Sequence, residues 1–103
     1  MNAGGNISPL ATAEREVRIV NKYGLHARPA MQLVQLANRY ISTIEVSNGA
    51  LTVDSKSIMS VMRLGAAKGV MLKFAADGED ADEAVAALVA LVEGGFGEME
   101  GAV

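Results

Sequence analysis

Residues 44–54 read Ile-Glu-Val-Ser-Asn-Gly-Ala-Leu-Thr-Val-Asp, and this stretch decides the fold class. Apolar and polar residues alternate on both sides of its centre, which is typical of strands with one buried face. The central pair, Asn48-Gly49, tolerates the positive φ angles of a type I′ turn and is a strong hairpin signal. The stretch therefore predicts two antiparallel strands joined by a type I′ turn.

The flanking segments continue with strand and helix patterns in turn. Strand patterns cover residues 14–21 and run from residue 70 to Asp77-Gly78. Helical spacing of apolar residues follows Pro29 and ends near residue 38 or 39, and a short second helix is predicted over 55–64. A third helix begins at a capping pair, Asp80 and Glu83, and stops at Gly94-Gly95. A sheet with one face covered by helices buries every apolar stripe, but periodicity does not determine the pairing order of the strands.

The composition excludes several classes of function. The chain has 103 residues, 50% of them hydrophobic and 20% charged, which indicates one globular domain. A net charge of −3 provides no basic field for nucleic acid. The absence of cysteine excludes disulfides and thiol chemistry, and a single histidine excludes a multi-histidine metal site, so we expect neither a metal nor a cofactor. The longest apolar run, residues 84–92, is far shorter than the ~20 residues that a membrane helix needs, so we expect no membrane insertion.

The two ends of the chain differ from the rest. Residues 1–13 lack the basic start and long apolar run of a secretory signal, so we expect a flexible leader. Residues 98–103 are expected to form a flexible tail that does not touch the functional site. The predicted domain is therefore residues 14–97.

The segment Gly24-Leu25-His26-Ala27-Arg28-Pro29-Ala30 carries the candidate chemistry, because it lies between a strand end and a helix start. The first turn of a helix exposes unpaired N–H groups and a partial positive charge, and it therefore receives anions. The N–H groups of Ala27 and Arg28 are free to point at such an anion, and the Arg28 guanidinium can bind phosphate oxygens. His26 would be a nucleophile beside this phosphate site, although a lone histidine at a helix start is more commonly a surface or capping residue.

This segment closely resembles the active-site signature of the HPr family, the histidine phosphocarriers of the bacterial phosphotransferase system. A second segment, Asp54-Ser55-Lys56-Ser57-Ile58-Met59-Ser60-Val61-Met62, resembles the regulatory serine segment of the same family. The turn that follows, at residues 65–69, and the last helix also match. The resemblance covers about residues 14–97, and two separate motifs occur in the right order.

The resemblance implies an α+β fold: an open-faced β-sandwich, with a four-stranded antiparallel sheet and three helices on one face, in the order βαββαβα. It also implies a cytoplasmic phosphoryl carrier rather than a stand-alone turnover enzyme. Such a carrier accepts a phosphoryl group from phosphorylated enzyme I and passes it to a IIA protein or domain. By resemblance, His26 carries the group on Nδ1, Arg28 stabilises it, and the Ala27 and Arg28 amides donate to its oxygens.

Four residues of the second segment are further candidates. Ser57 matches the serine that HPr kinase/phosphorylase modifies in the family, which makes this kinase an expected partner. On the residues alone, Ser57 or Ser55 can cap the helix. The matching residues of the family dock on enzyme I and IIA proteins, so we expect a docking role for Ile58, Met59 and Met62. Methionine at helical spacing is more often core, yet we expect Met59 and Met62 to be partly exposed near His26.

Two other functions stay open at this point. A regulatory relative in a nitrogen-related branch of the phosphotransferase system would differ only in its partners. A small split βαβ binding module, including nucleic-acid binders, would need a basic face or stacking aromatic residues. The chain has two tyrosines, two phenylalanines and no tryptophan on an acidic background, which disfavours nucleic-acid binding.

Overall fold

The computed structural model describes residues 11–99. Its strands are β1 (Ala11–Arg18), β2 (Thr43–Ser47), β3 (Thr52–Asp54) and β4 (Met71–Gly78), and its helices are α1 (Ala27–Ala37), α2 (Ile58–Met62) and α3 (Ala81–Glu93). A short 3-10 turn, Gly95–Gly97, follows α3. The order βαββαβα agrees with the prediction. Within the described span, no helix is long and apolar enough to cross a membrane.

The strands form one antiparallel sheet in the order β1-β4-β2-β3. The central strand β4 pairs with β1 on one side and β2 on the other, so that Phe74 lies opposite both Arg15 and Val46. Along β4, buried residues alternate with exposed ones, because successive side chains of a strand point to opposite faces. The predicted α+β open-faced sandwich is confirmed, and the pairing order that periodicity left open is now defined.

The core fills the space between this sheet and the helices. Phe74 and Leu72 of β4, Leu33 of α1 and Leu88 of α3 are all fully buried. Burying a side chain of this size stabilises the fold by about 1.5–3 kcal/mol relative to leaving it exposed. The short helix α2 contributes the buried Val61. The helices are therefore held to the sheet by their apolar stripes, as the spacing of these residues predicts.

Several element boundaries differ from the sequence-based expectation, among them both ends of β1, which stops at Arg18 rather than at residue 21, and both ends of α2, which stops at Met62 rather than at residue 64. β1 begins at Ala11 rather than at residue 14, because residues 11–13 pair with residues 76–78 of β4. The last residues of the predicted leader are thus part of the sheet, and residues 1–10 lie outside the described residues. α2 begins at Ile58 rather than at residue 55, because Ser55 and Lys56 form a turn whose N–H groups bond to β2 and to Asp54.

The hairpin between β2 and β3 is present, but the predicted type I′ turn is wrong. Only Gly49 of the central pair has a positive φ angle, at 98°. The Asn48 side chain accepts hydrogen bonds from the N–H groups of Ala50 and Leu51, at 2.9 and 2.8 Å. This local bonding makes a longer loop over residues 48–51, so β3 begins only at Thr52.

The Asp80 carboxylate does not form the predicted capping pair with Glu83. It makes no capping hydrogen bond to α3, although Asp80 occupies the N-cap position. Instead it accepts from the N–H of Ile41 at 2.9 Å and from the N–H and hydroxyl of Ser42 at 3.0 and 2.6 Å. The hydrogen bond from the Ser42 hydroxyl is the main cause that holds the pKa of Asp80 below its ordinary value; desolvation opposes it, and the N–H groups of Ile41 and Ser42 add to the lowering. Three donors from the loop before β2 thus replace one local cap and fasten that loop to the start of α3.

Candidate functional site

The turn that leads into α1 is packed against the loop that follows α2. Gly24 has a φ of +64°, and a Cβ at this position would lie 2.5 Å from the carbonyl oxygen of Ala66. The N–H of Leu25 donates to the same oxygen at 2.8 Å, and the Leu25 side chain is buried. The backbone of this turn therefore has little freedom, and it presents the next residue, His26, at a defined point of the surface.

His26 is the N-cap residue of α1, with extended backbone angles and no capping hydrogen bond from its side chain. The imidazole is 42% exposed. The first intrahelical bond runs from the N–H of Ala30 to the carbonyl of His26, so the N–H groups of Ala27 and Arg28 lie before the first donor of the helix and have no acceptor within it. The structure thus brings His26, Ala27 and Arg28 together at one helix start, and the side chain of Arg28 is exposed there.

Glu98 contacts the His26 ring, which contradicts the expectation that the tail stays away from the site. Both carboxylate oxygens lie 3.0 Å from Nε2 of His26. The 3-10 turn Gly95–Gly97 turns the chain back at the end of α3, and the buried Phe96 anchors it. The N–H of Glu98 then bonds to the carbonyl of Gly95 at 2.8 Å. Residues 100–103 of the predicted flexible tail lie outside the described residues.

Asn21 joins the turn before α1 to Glu98. Its side chain is 1% exposed, and its amide nitrogen donates to the carbonyl of Gly24 at 2.8 Å and to Oε1 of Glu98 at 3.0 Å. The hydrogen bond from His26 lowers the pKa of the Glu98 carboxyl, and the Asn21 amide and the charges of His26 and Arg28 act in the same direction against partial desolvation. Glu98 is therefore stabilised as the carboxylate.

Tyr23 borders the His26 ring, and Lys22 lies over the Tyr23 ring. The Tyr23 ring stands edge-on to the imidazole, with centroids 6.2 Å apart and an interplanar angle of 85°. The Lys22 ammonium lies 5.3 Å from the centroid of the Tyr23 ring, in the geometry of a cation–π contact. Tyr23 is 70% exposed, so this pair covers one edge of the site without closing it.

The structure resolves the capping alternative on α2 in favour of Ser57. Its hydroxyl accepts a hydrogen bond from the N–H of Ser60 at 3.3 Å. The Ser55 hydroxyl, in contrast, is fully buried and finds no partner within residues 11–99. Met59 and Met62 are exposed, as expected, at 78% and 43%, whereas Ile58 is partly buried against the core.

Within residues 11–99, the His26 ring lines none of the surface depressions that the structure describes, and it is partly exposed. A depression on the open face of the sheet is lined by Thr12, Thr43 and Asp77, and none of its lining residues belongs to the site. In the part of the chain that the structure describes, no group of three histidine, cysteine or acidic side chains could hold a metal ion. An exposed ring at a helix start is suited to meeting another protein, since small-molecule sites are usually concave.

Replacing Gly24 with alanine tests the packing of the turn. We expect Gly24→Ala to lower the free energy of unfolding by about 1–3 kcal/mol, because a side chain there combines a strained φ with a contact against Ala66. Gly65→Ala is the matched control, since Gly65 also has a positive φ, 53°, but open space around its Cβ position. Urea denaturation should show a larger loss for Gly24→Ala. Equal losses for the two variants would contradict the proposed contact.

Comparison with known proteins identifies the family. A family model described as the PTS HPr component phosphorylation site matches residues 13–94. The phosphocarrier protein HPr of Cupriavidus necator is 45% identical over 87 residues, covering 84% of this chain and 98% of the relative. The HPr of Pseudomonas aeruginosa is 48% identical over 86 residues, covering 82% and 96%.

A solved structure agrees with the sequence comparisons. The crystal structure of an HPr from Thermoanaerobacter tengcongensis superimposes with a TM-score of 0.82 at 45% identity, covering 85% of this chain and 99% of that one. The family match includes the whole segment from Gly24 to Ala30. This chain therefore belongs to the HPr family of phosphocarrier proteins of the phosphotransferase system.

Proposed function

We propose that this chain accepts a phosphoryl group from phosphorylated enzyme I on His26 and passes it to a IIA protein or domain. The observation that supports this most directly is the position of the half-exposed His26 ring at the first turn of α1. Family membership supports the identity of the two partners and a cytoplasmic location. The branch of the phosphotransferase system depends on which IIA protein accepts the group.

The chemistry of the proposed step follows from the groups at the start of α1. The lone pair of His26 Nδ1 attacks the phosphorus, a new N–P bond forms, and the electron pair of the broken bond returns to the donor. Three groups can stabilise the phosphoryl oxygens: the N–H of Ala27, the N–H of Arg28 and the Arg28 guanidinium. No proton has to move in this step. When the acceptor attacks the phosphorus, the phosphoryl oxygens can leave these three groups again.

Residues of α2 form the proposed docking surface for both partners. It consists of the exposed Met59 and Met62 and the partly buried Ile58, together with Met31 of the neighbouring helix α1, which is 46% exposed. Methionine side chains are flexible and polarisable, so one surface can fit a donor and an acceptor of different shape. A contact of this kind can be weak and short-lived, as a relay between two proteins requires.

Phosphorylation of Ser57 by HPr kinase/phosphorylase is the proposed regulation. Ser57 is half-buried at the start of α2, directly before the docking residues. A phosphate here adds roughly two negative charges beside the docking surface. These charges would repel an acidic partner surface, so phosphorylation at Ser57 should slow the transfer from enzyme I.

Labelled phosphoenolpyruvate tests the phosphoryl relay. With catalytic enzyme I, the wild-type protein should gain one acid-labile label, and His26→Ala should gain none. Arg28→Ala should accept the label about ten- to a hundredfold more slowly, because it loses one charge-assisted contact to the phosphoryl group. Arg39→Ala is the matched control, since Arg39 is also exposed but follows the other end of α1. Label that persists in His26→Ala, or equal rates for both arginine variants, would contradict the assignment.

Substitution at Ser57 tests the regulation. Ser57→Asp should slow acceptance from enzyme I by about tenfold or more, because it places a negative charge on the docking surface. Ser57→Asn is the neutral control of the same size, and asparagine is an equally good helix cap. A measurement of the transfer rate at low and high salt should show the deficit of Ser57→Asp shrinking as salt rises. If the two variants react at the same rate, charge at this position does not regulate transfer.

A further inference from the structure

The contact between Glu98 and His26 leaves only one arrangement of protons on a neutral ring. A carboxylate has acceptors but no proton to donate, so Nε2 must be the donor in the contacts at 3.0 Å. A neutral imidazole carries a proton on one nitrogen alone. Nδ1 then keeps its lone pair free, and this is the nitrogen that the proposed relay uses.

We propose that Glu98 is a positioning residue, which fixes the His26 ring with its proton on Nε2 and its nucleophilic lone pair on Nδ1. This inference rests on the proposed function, because it assigns a role within the phosphoryl step. Histidine rings are oriented in the same way at many sites, where one nitrogen donates to a carboxylate and the other reacts or binds.

The carboxylate also stabilises the product of the phosphoryl step. When Nδ1 forms its bond to phosphorus and Nε2 keeps its proton, the ring itself becomes positively charged. Glu98 then forms an ion pair with that ring on the side of Nε2, away from the phosphoryl group. The step is balanced without a base, because the only bonds that change are the new N–P bond and the bond to the donor.

A part-buried hydrogen bond from Asn21 holds Glu98 in place. Asn21 uses its amide nitrogen to donate to Oε1 of Glu98 and to the carbonyl of Gly24, and it is 1% exposed. The buried Phe96 anchors the chain two residues before Glu98. The carboxylate is therefore attached to the same turn that carries His26, which is the arrangement expected of a positioning residue rather than of a flexible surface contact.

Nitrogen-15 NMR of the full-length protein tests this inference, because the chain has a single histidine and every imidazole signal belongs to it. The wild type should show an Nε2–H proton protected from exchange and the Nε2–H tautomer alone. In Glu98→Ala this proton should exchange rapidly and the Nδ1–H tautomer should become populated. Phosphoryl acceptance from enzyme I should fall by about tenfold, as expected for one lost charge-assisted contact. Glu98→Gln keeps an acceptor oxygen and should retain the tautomer, with an intermediate rate.

Glu93→Ala is the matched control, because Glu93 is exposed at the end of α3 and should leave both measurements unchanged. If Glu98→Ala keeps the wild-type tautomer, the positioning role is overturned. It is also overturned if this variant keeps the wild-type rate of phosphoryl acceptance. Either outcome would leave the relay intact, as long as the wild type still gains its label on His26. If the wild type gains no label on His26, the proposed function itself fails.

Discussion

The pairing of β1 with the central strand β4 is the constraint on which both the sheet and the site depend. Its hydrogen bonding continues beyond Arg18, since the N–H of Ile19 donates to Val70 at 2.9 Å and the N–H of Gly69 donates to Ile19 at 2.8 Å. These bonds bring the turn before α1 next to the loop before β4. The bond from Leu25 to Ala66 then closes the contact, so α1 begins at a defined point.

Local patterns in the sequence predicted most of the architecture, because side-chain periodicity reflects which face of an element is buried. They could not predict the pairing order, since alternation along β4 is the same whichever strands lie beside it. Long-range polar contacts were also missed. Glu98 lies 72 residues from His26, and Asp80 bonds to Ser42 rather than to its own helix. For Asn21, the sequence offered a weak signal: a polar residue at the end of an apolar strand pattern.

The part of the site that the sequence predicted, at the start of α1, and the residue that it missed, Glu98, carry opposite charges. The start of α1 and Arg28 provide positive charge, which suits the oxygens of a phosphoryl group. Glu98 provides negative charge, which suits a phosphorylated ring that has become cationic. The Gly24 turn and Asn21 connect the start of α1 to Glu98, because the Asn21 amide donates to both Gly24 and Glu98.

The central claim is that the His26 ring presents Nδ1 to an incoming phosphoryl group while Nε2 faces Glu98. The most direct test is the coupling between phosphorus-31 and nitrogen-15 in protein phosphorylated by enzyme I and labelled with nitrogen-15 in its single histidine. Our account predicts a one-bond coupling to Nδ1, with a proton still attached to Nε2. A phosphorus coupled directly to Nε2 would contradict it, because the contact with Glu98 would then have to be broken for the reaction.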